Sequence, residues 1–310
     1  MHVTFQRARQ HSRGRLLTGA ALNFVGATLL LSHATASVLA AQRVDADAMT
    51  TGSLPSASSN VPMELRIEVT GPGREGIKLA GRLSQSGGLI TKPVAWKLIR
   101  TLGDGSHGGQ PVFSDARPVA DIPLVPGNYR IEAQYGTVSV VKPVVLVKGQ
   151  HLGLTFVFNV GGLRTLSTLG NEPLPGRARA VHRVYAINGI SAGRLIATSD
   201  LQGALLRLGA GKYRLESEIE PGNTVTHTDV TIKPGILTTL NLDHEAGIAV
   251  VDAAHGVQWS VNSTDHTWHA SGSGADVLTL APGRYVYTSG DNSRTVFIEA
   301  GRRTKVRASD

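Results

Sequence analysis

A short pattern around a tyrosine occurs three times in this 310-residue chain, and it constrains the fold more than any other feature. The segments PGNYR, AGKYR and PGRYV are centred on tyrosines that lie 84 and then 72 residues apart. Such spacing fits one small domain per copy. The repeated structural positions are Gly127, Tyr129, Gly211, Tyr213, Gly283 and Tyr285.

Three further motifs accompany each tyrosine in the same order. A glycine precedes an apolar strand at Gly76, Gly162 and Gly247, and a turn ends at Gly149, Gly235 and Gly301. Between them lie VAWKLI, AVHRVY and VQWSVN, around Trp96, His182 and Trp259. We therefore predict three repeats, at residues 63–161, 162–246 and 247–310, the last of them shortened.

The pattern of side chains predicts that each repeat is all-β. Tyr129, Ile131, Ala133 and Tyr135 alternate with polar residues, which is typical of a strand with one buried and one wet face. After Met63 no stretch shows an apolar stripe of helical period. Short strands separated by frequent turn signals favour one β-sandwich for each copy.

The second copy resembles the carboxypeptidase regulatory-like (transthyretin-like, or prealbumin-like) domains. The residues that carry the resemblance are PLPG at 173–176, SDLQG at 199–203, the turn before Tyr213 and the closing PG at 234–235. The turn departs from the family pattern because Ala210 replaces its proline. The resemblance implies three tandem Ig-like or transthyretin-like β-sandwich repeats, and accessory modules of exported proteins without catalysis of their own.

The amino-terminal residues have the pattern of a secretory signal peptide, which we place at residues 1–40. Four arginines precede a mostly apolar run at 16–31, and small residues follow, with candidate cleavage sites after Ala36 and Ala40. The run is too short and too polar for a stable transmembrane span, which needs about 20 apolar residues. An uncleaved anchor is the alternative. Residues 41–62 are small and polar, which predicts a disordered linker. We therefore expect a periplasmic or secreted protein.

Composition excludes several classes of function. The chain has no cysteine, so it has no disulfide, thiolate metal site or cysteine nucleophile. Of its 31 Lys and Arg, four lie in the predicted leader, leaving 27 against 23 acidic residues. A net charge near +4 without a basic cluster argues against nucleic acid binding. We expect no cofactor and no metal.

Three apparent motifs favour structural interpretations. GPGREG at 71–76 lacks the acidic residue that a dinucleotide site needs about 20 positions on, so we predict a turn. GISAG places Ser191 in a nucleophile-elbow pattern, with Asp229 and His244 following, but no helix follows the serine. A serine esterase is thus the weakest alternative. DHTWH sets His266 and His269 three apart, which is poor spacing for zinc on a strand.

The predicted function is a non-enzymatic, exported scaffold, adhesion or accessory-binding module. Its partner would be an envelope or extracellular protein, with a cell-wall glycan or peptidoglycan as the alternative. The longest polar loop, at 101–112, is the first candidate contact surface. The final strand, which carries positive charges on one face, is the second. The candidate contact residues are Asp104, His107, Trp268, Arg303, Lys305 and Arg307.

Overall fold

The computed structural model describes residues 37–43, 56–58, 62–102 and 110–307. Within these ranges the chain forms 25 strands and a single 3-10 turn, Gly189–Ser191. The predicted all-β fold of sandwich repeats is therefore confirmed. None of the described segments is a helix long and apolar enough to cross a membrane.

Among the described residues, two strands precede the first repeat, β1 (Ser37–Arg43) and β2 (Ser56–Ser58). β1 pairs antiparallel with the last strand of the second domain, and β2 pairs parallel with a strand of the first. Part of the segment predicted as leader and disordered linker is thus strand. The physical reason is that an open sheet edge offers unpaired backbone groups to any extended segment.

The first domain consists of two sheets, ordered β3-β10-β4-β7 and β2-β9-β8-β5-β6. Its strands are β3 (Met63–Val69), β4 (Gly76–Arg82), β5 (Val94–Thr101), β6 (Phe113–Arg117), β7 (Ala120–Pro123), β8 (Gly127–Tyr135), β9 (Val138–Leu146) and β10 (Gln150–Val157).

The second domain pairs β11 with β18, β12 and β15 in one sheet, which β1 extends, and orders the other β14-β13-β16-β17. Its strands are β11 (Val160–Leu169), β12 (Glu172–Pro173), β13 (Arg179–Ala186), β14 (Leu195–Ser199), β15 (Leu205–Gly209), β16 (Gly211–Glu220), β17 (Val225–Ile232) and β18 (Ile236–His244).

The third domain is smaller, with sheets β22-β19-β25 and β21-β20-β23-β24. Its strands are β19 (Gly247–Val251), β20 (Gln258–Ser263), β21 (His269–Ser273), β22 (Asp276–Leu280), β23 (Gly283–Ser289), β24 (Asn292–Ile298) and β25 (Arg303–Val306). In each domain the strand that carries the repeated glycine pairs parallel with the last strand: β4 with β10, β11 with β18 and β19 with β25.

Each domain has its own apolar core, and the predicted alternation fills it. Tyr129, Ile131, Ala133 and Tyr135 are all buried in the first core. The repeated positions Trp96, His182 and Trp259 are each at most 3% exposed. They are therefore core positions.

The parallel pairs correct the predicted alignment of one motif. In the second domain Gly162 lies opposite Leu237, which is two residues after Gly235. In the third domain the residue two after Gly301 is Arg303, and it lies opposite Ile248 rather than Gly247. The second-domain equivalent of Gly247 is therefore Gly161. At both glycines an added Cβ would lie 2.3–2.4 Å from a backbone oxygen, so close chain approach requires glycine there.

The repeated tyrosine closes a turn in every domain. The hydroxyl groups of Tyr129, Tyr213 and Tyr285 donate to the carbonyl oxygen four residues earlier, at 2.6, 2.7 and 2.8 Å. Burial raises the pKa of all three hydroxyls, so they stay protonated donors at neutral pH. This contact explains why the pattern recurs.

We expect Tyr129→Phe to lower the free energy of unfolding of its domain by about 1 kcal/mol, because it removes one partly buried hydrogen bond. Tyr285→Phe should lower it by about 2 kcal/mol, since Tyr285 also accepts a hydrogen bond from Asn223 of the preceding domain. Amide hydrogen exchange of β8 and β23 measures the two losses separately. Equal losses at the two positions would contradict the prediction.

Candidate functional site

The three domains follow one another in the same orientation. We call the end that carries the tyrosine turn the head, and the end that carries the following hairpin tip the tail. In the first domain the head contains Gly76, Pro123 and Gly127, which pair with neighbouring strands at that end. The tail contains the β8–β9 turn, Gly136–Thr137.

At the first joint, the tail of the first domain contacts the head of the second directly. The N–H of Thr137 donates to the Arg207 carbonyl at 3.0 Å, and the N–H of Gly209 donates to Oγ1 of Thr137 at 3.2 Å. Nε of Arg207 donates to Oη of Tyr135 at 3.0 Å, and its guanidinium lies 5.5 Å from the centre of that ring. Backbone and side chains therefore both fix this joint.

The second joint repeats the arrangement between the second and third domains. The N–H of Thr279 donates to the Pro221 carbonyl at 3.2 Å, and the N–H of Ala281 donates to Oδ1 of Asn223 at 2.8 Å. Arg177 also forms an ion pair with Asp276 across the joint. Both joints thus use a hairpin tip and the segment just before a tyrosine turn.

The receiving positions are equivalent in sequence. Arg207 and Thr279 lie six residues before their tyrosine, and Gly209 and Ala281 lie four before. In the first domain these positions are Pro123 and Val125, at the end of the edge strand β7. Among the described residues no preceding domain covers them.

The head of the first domain exposes apolar side chains on strand ends and on the turns beside them. Val69, Val125, Val145 and Val147 are 90, 60, 62 and 51% exposed. All four lie at one end of the sandwich, because β3 and β9 end there and the tyrosine turn lies beside the end of β9, where Gly127 pairs with Leu146. Exposed apolar surface of this kind marks an interaction site.

The exposed head is also rigid and positively charged. The buried carboxylate of Glu75 accepts the N–H groups of Gly149 and Gly73 at 3.0 and 2.8 Å, which lowers its pKa and ties two turns together. Arg74 and Lys148 project from those same two turns and are exposed. The head therefore combines a fixed apolar surface with positive charge at its rim.

A second feature, which sequence reasoning missed, is a buried polar chain in the second domain. Nε2 of His182 lies 3.0 Å from Oγ of Ser167, which lies 2.9 Å from Oγ of Ser217. Nε2 of His244 lies 3.0 Å from the same Ser217 oxygen. The chain crosses from one sheet to the other, and its four members are at most 5% exposed.

Burial holds the pKa of His182 and His244 at about 4, well below the usual 6.5, so both rings are neutral at pH 7. An enclosed His–Ser pair has no path for a substrate. We therefore interpret it as a structural network of the core. Only the spacing of polar residues within apolar strands could have signalled it.

The esterase arrangement does not form. Ser191 lies in the 3-10 turn between β13 and β14, whereas His244 is enclosed in the core on Ser217. The Asp229 carboxylate binds Arg214, and that ion pair lowers its pKa. The three residues are thus engaged separately.

The other motifs have the predicted structural roles. GPGREG is a turn, closed by the Arg74 N–H donating to the Gly71 carbonyl at 3.2 Å, and strand β4 follows it. Asp265 accepts from the N–H and the hydroxyl of Thr267, and His269 lies 2.7 Å from Asn262. No group of three or more metal-binding side chains occurs in the part of the chain that the structure describes.

Four of the six predicted contact residues lie in the part of the chain that the structure describes. Asp104 and His107 lie outside the described residues. Trp268 packs edge-on against Tyr285, with ring centres 6.1 Å apart, and is only partly exposed. Arg303 and Lys305 share the exposed face of the edge strand β25, where Lys305 pairs with Asp252, and exposed Arg307 directly follows the strand. They suit the protection of a sheet edge.

Comparison with known proteins assigns no family. No family model and no curated protein matches the chain, so the resemblance to carboxypeptidase regulatory-like domains stays a prediction. Similar solved structures include the Bacillus anthracis TIE protein, 16% identical over 75% of this chain and 50% of that chain, with a TM-score of 0.26. The chain thus spans about half the length of that protein.

Two further structures are pilins. GBS52, the minor pilin of Streptococcus agalactiae, is 15% identical over 55% of this chain and 95% of its own, with a TM-score of 0.30. A streptococcal ancillary pilin is 11% identical over 76% of this chain and 99% of its own, also with a TM-score of 0.30. Likeness at this level identifies neither a family nor a function.

Proposed function

We propose that this protein is an exported, non-catalytic scaffold that binds other proteins through the exposed head of its first domain. The observation that carries the proposal is that this head exposes the surface that the second and third domains use to receive a neighbour. The joints show what such a surface binds: a hairpin tip with free backbone groups. Protein is therefore the partner class that its chemistry fits.

The architecture supports a scaffold. Three side-chain-filled cores leave the outer surfaces and ends for binding, and direct joints hold successive domains in register. A partner bound at the head is thus held at a fixed position relative to the third domain.

Export is part of the proposal and predicts a defined mature terminus. Of the two candidate cleavage sites, the one after Ala36 leaves β1 whole, since that strand begins at Ser37. Cleavage after Ala40 would cut it between residues that pair with β18. We expect mass spectrometry of the exported protein to find Ser37 at its amino terminus. A terminus at Ala41, or an uncleaved chain, would contradict this.

Cell fractionation followed by cross-linking tests the function itself. We expect the tagged protein in the exported fraction, and photo-cross-linkers at Val125 or Val147 to capture protein. The same cross-linker at Leu201, an equally exposed apolar residue of the second domain, is the matched control. Retention in the cytoplasm, or equal capture from all positions, would overturn the proposal.

A further inference from the structure

Among the described residues, the row of domains leaves one surface uncovered at each end. The tail of the third domain is the β23–β24 hairpin with the turn Gly290–Asp291. The head of the first domain is the apolar surface around Val125. Each is the counterpart of a surface that is covered at both internal joints.

The free tail closely matches the tail that occupies the first joint. Gly136–Thr137 and Gly290–Asp291 are both two-residue turns between paired strands, with φ of +59° and +56° at the glycine. A Cβ at Gly136 would lie 2.4 Å from the carbonyl oxygen of Arg207, whereas a Cβ at Gly290 would meet nothing within 4 Å. The third tail therefore has the shape of the tip that docks at the first joint, and no described residue covers its glycine.

The hydrogen-bonding groups also correspond. At the first joint Oγ1 of Thr137 accepts the N–H of Gly209, and at the second joint Oδ1 of Asn223 accepts the N–H of Ala281. Each of these N–H groups lies four residues before the repeated tyrosine of the domain that receives the tip. Asp291 supplies a carboxylate at the position of Thr137, and Val125 supplies the N–H at the position of Gly209. The charge is complementary, since exposed Arg74 and Lys148 flank the head that would receive Asp291.

We propose that the partner of the first-domain head is a second copy of this chain, docked through the Gly290–Asp291 tip of its third domain. The proposal rests on the scaffold function and names its partner. The contact joins two different surfaces, so it does not close on itself. Repetition gives an open head-to-tail row, in which each new joint resembles the two inside the chain.

The association should be weaker than the internal joints. Within one chain the domains meet at an effective concentration on the order of millimolar, whereas separate chains do not have this advantage. Pro123 and Ser289 stand where the first joint has Arg207 and Tyr135, so the intermolecular joint lacks that contact. We therefore expect association that increases steadily with concentration.

Sedimentation equilibrium of the mature protein, at concentrations up to about 1 mM, tests the proposal. The expected result is an average mass that rises with concentration beyond that of a dimer. A mass that stays monomeric over the whole range would overturn it. So would a mass that stops at the dimer, since that result indicates a symmetric contact.

Two variants test which surfaces meet. Val125→Glu at the head and Gly290→Ala at the tail should each weaken association about tenfold or more, as expected for loss of a close contact. Leu201→Glu controls for added charge on an exposed apolar residue. Gly170→Ala controls for the strain of placing alanine at a positive φ, since Gly170 has φ of +59° and nothing lies within 4 Å of an added Cβ. Equal association of all four variants would overturn the proposal.

Mixing the two impaired variants decides whether the contact is head to tail. Each retains one intact surface, so the mixture should form dimers but no longer rows, although each variant alone associates at least about tenfold more weakly than the unchanged protein. Failure of the mixture to form dimers contradicts the proposal. A protein that is monomeric in every test, yet is exported and cross-links through Val125 to other proteins, overturns this inference and leaves the scaffold function standing.

Discussion

Lowering the pH from 7 to 4 should selectively open the second domain. The pKa of His182 and of His244 is about 4 in the folded domain and 6.5 in an unfolded chain. Between these values the unfolded chain binds protons that the folded domain does not, so the free energy of unfolding falls as the pH falls. The loss at pH 4 is on the order of 3 kcal/mol for each ring. Domains are typically stable by only about 5–15 kcal/mol.

Amide hydrogen exchange of β11 and β18, corrected for the intrinsic effect of pH, measures this loss. The tryptophans lie in the first and third domains only, so their fluorescence does not monitor the second. Asp243 beside His244 accepts hydrogen bonds from Thr168 and the Asn171 N–H, and only partly offsets the effect of burial.

Two variants separate the buried histidines from other titrating groups. His244→Gln should reduce the pH dependence by about half, because an amide replaces one of two equivalent titrating rings. His227→Gln, at an exposed position of β17, is the matched control and should leave it unchanged. Protection of β11 and β18 that is equal at pH 7 and pH 4 would refute the prediction.

The elements that sequence predicted well are those set by local periodicity. Alternating residues after Tyr129 specify which face of β8 is buried, because side chains of a strand point to opposite sides in turn. The tyrosine turn needs only a hydroxyl and a carbonyl four residues apart. Both signals lie within ten residues of chain, so both can be recognised without knowing the topology.

Contacts between distant residues were not predictable in the same way. The Ser167–His182 pair spans 15 residues and the Ser217–His244 pair 27, and they meet only because two sheets pack in one register. The repeat identified His182 as the equivalent of two tryptophans but gave no sign of its partners. The alignment of Gly247 with Gly162, rather than Gly161, shows how a one-residue error in register escapes detection in sequence.

The joints are a further case, because hairpin tips carry no periodic pattern. Nothing in the sequence around Gly136 distinguishes a tip that contacts another domain from one that faces solvent. The same is true of Gly290, whose turn is of the same length. The head and tail surfaces therefore carry no sequence signal that marks them as contacts.

The Gly136→Ala variant should open the first joint while leaving both adjoining domains folded. An added Cβ would lie 2.4 Å from the Arg207 carbonyl oxygen and 2.5 Å from its Cβ, and backbone atoms at such distances have to separate. Separation breaks the hydrogen bonds from Thr137 to Arg207 and from Gly209 to Thr137. We expect at least tenfold faster exchange of the Thr137 and Gly209 amides, since a tenfold change corresponds to about 1.4 kcal/mol.

Gly170→Ala is the matched control, because it introduces the same backbone strain without a steric clash at a joint. Gly136 and Gly170 both have φ of +59°, so alanine is disfavoured at both by roughly 1–2 kcal/mol. Gly170 has nothing within 4 Å of an added Cβ, so its replacement leaves the joints closed. Small-angle scattering should then show a broader range of interdomain distances for Gly136→Ala only. Equal scattering and equal amide exchange in the two variants would mean that the hairpin tip does not hold the joint.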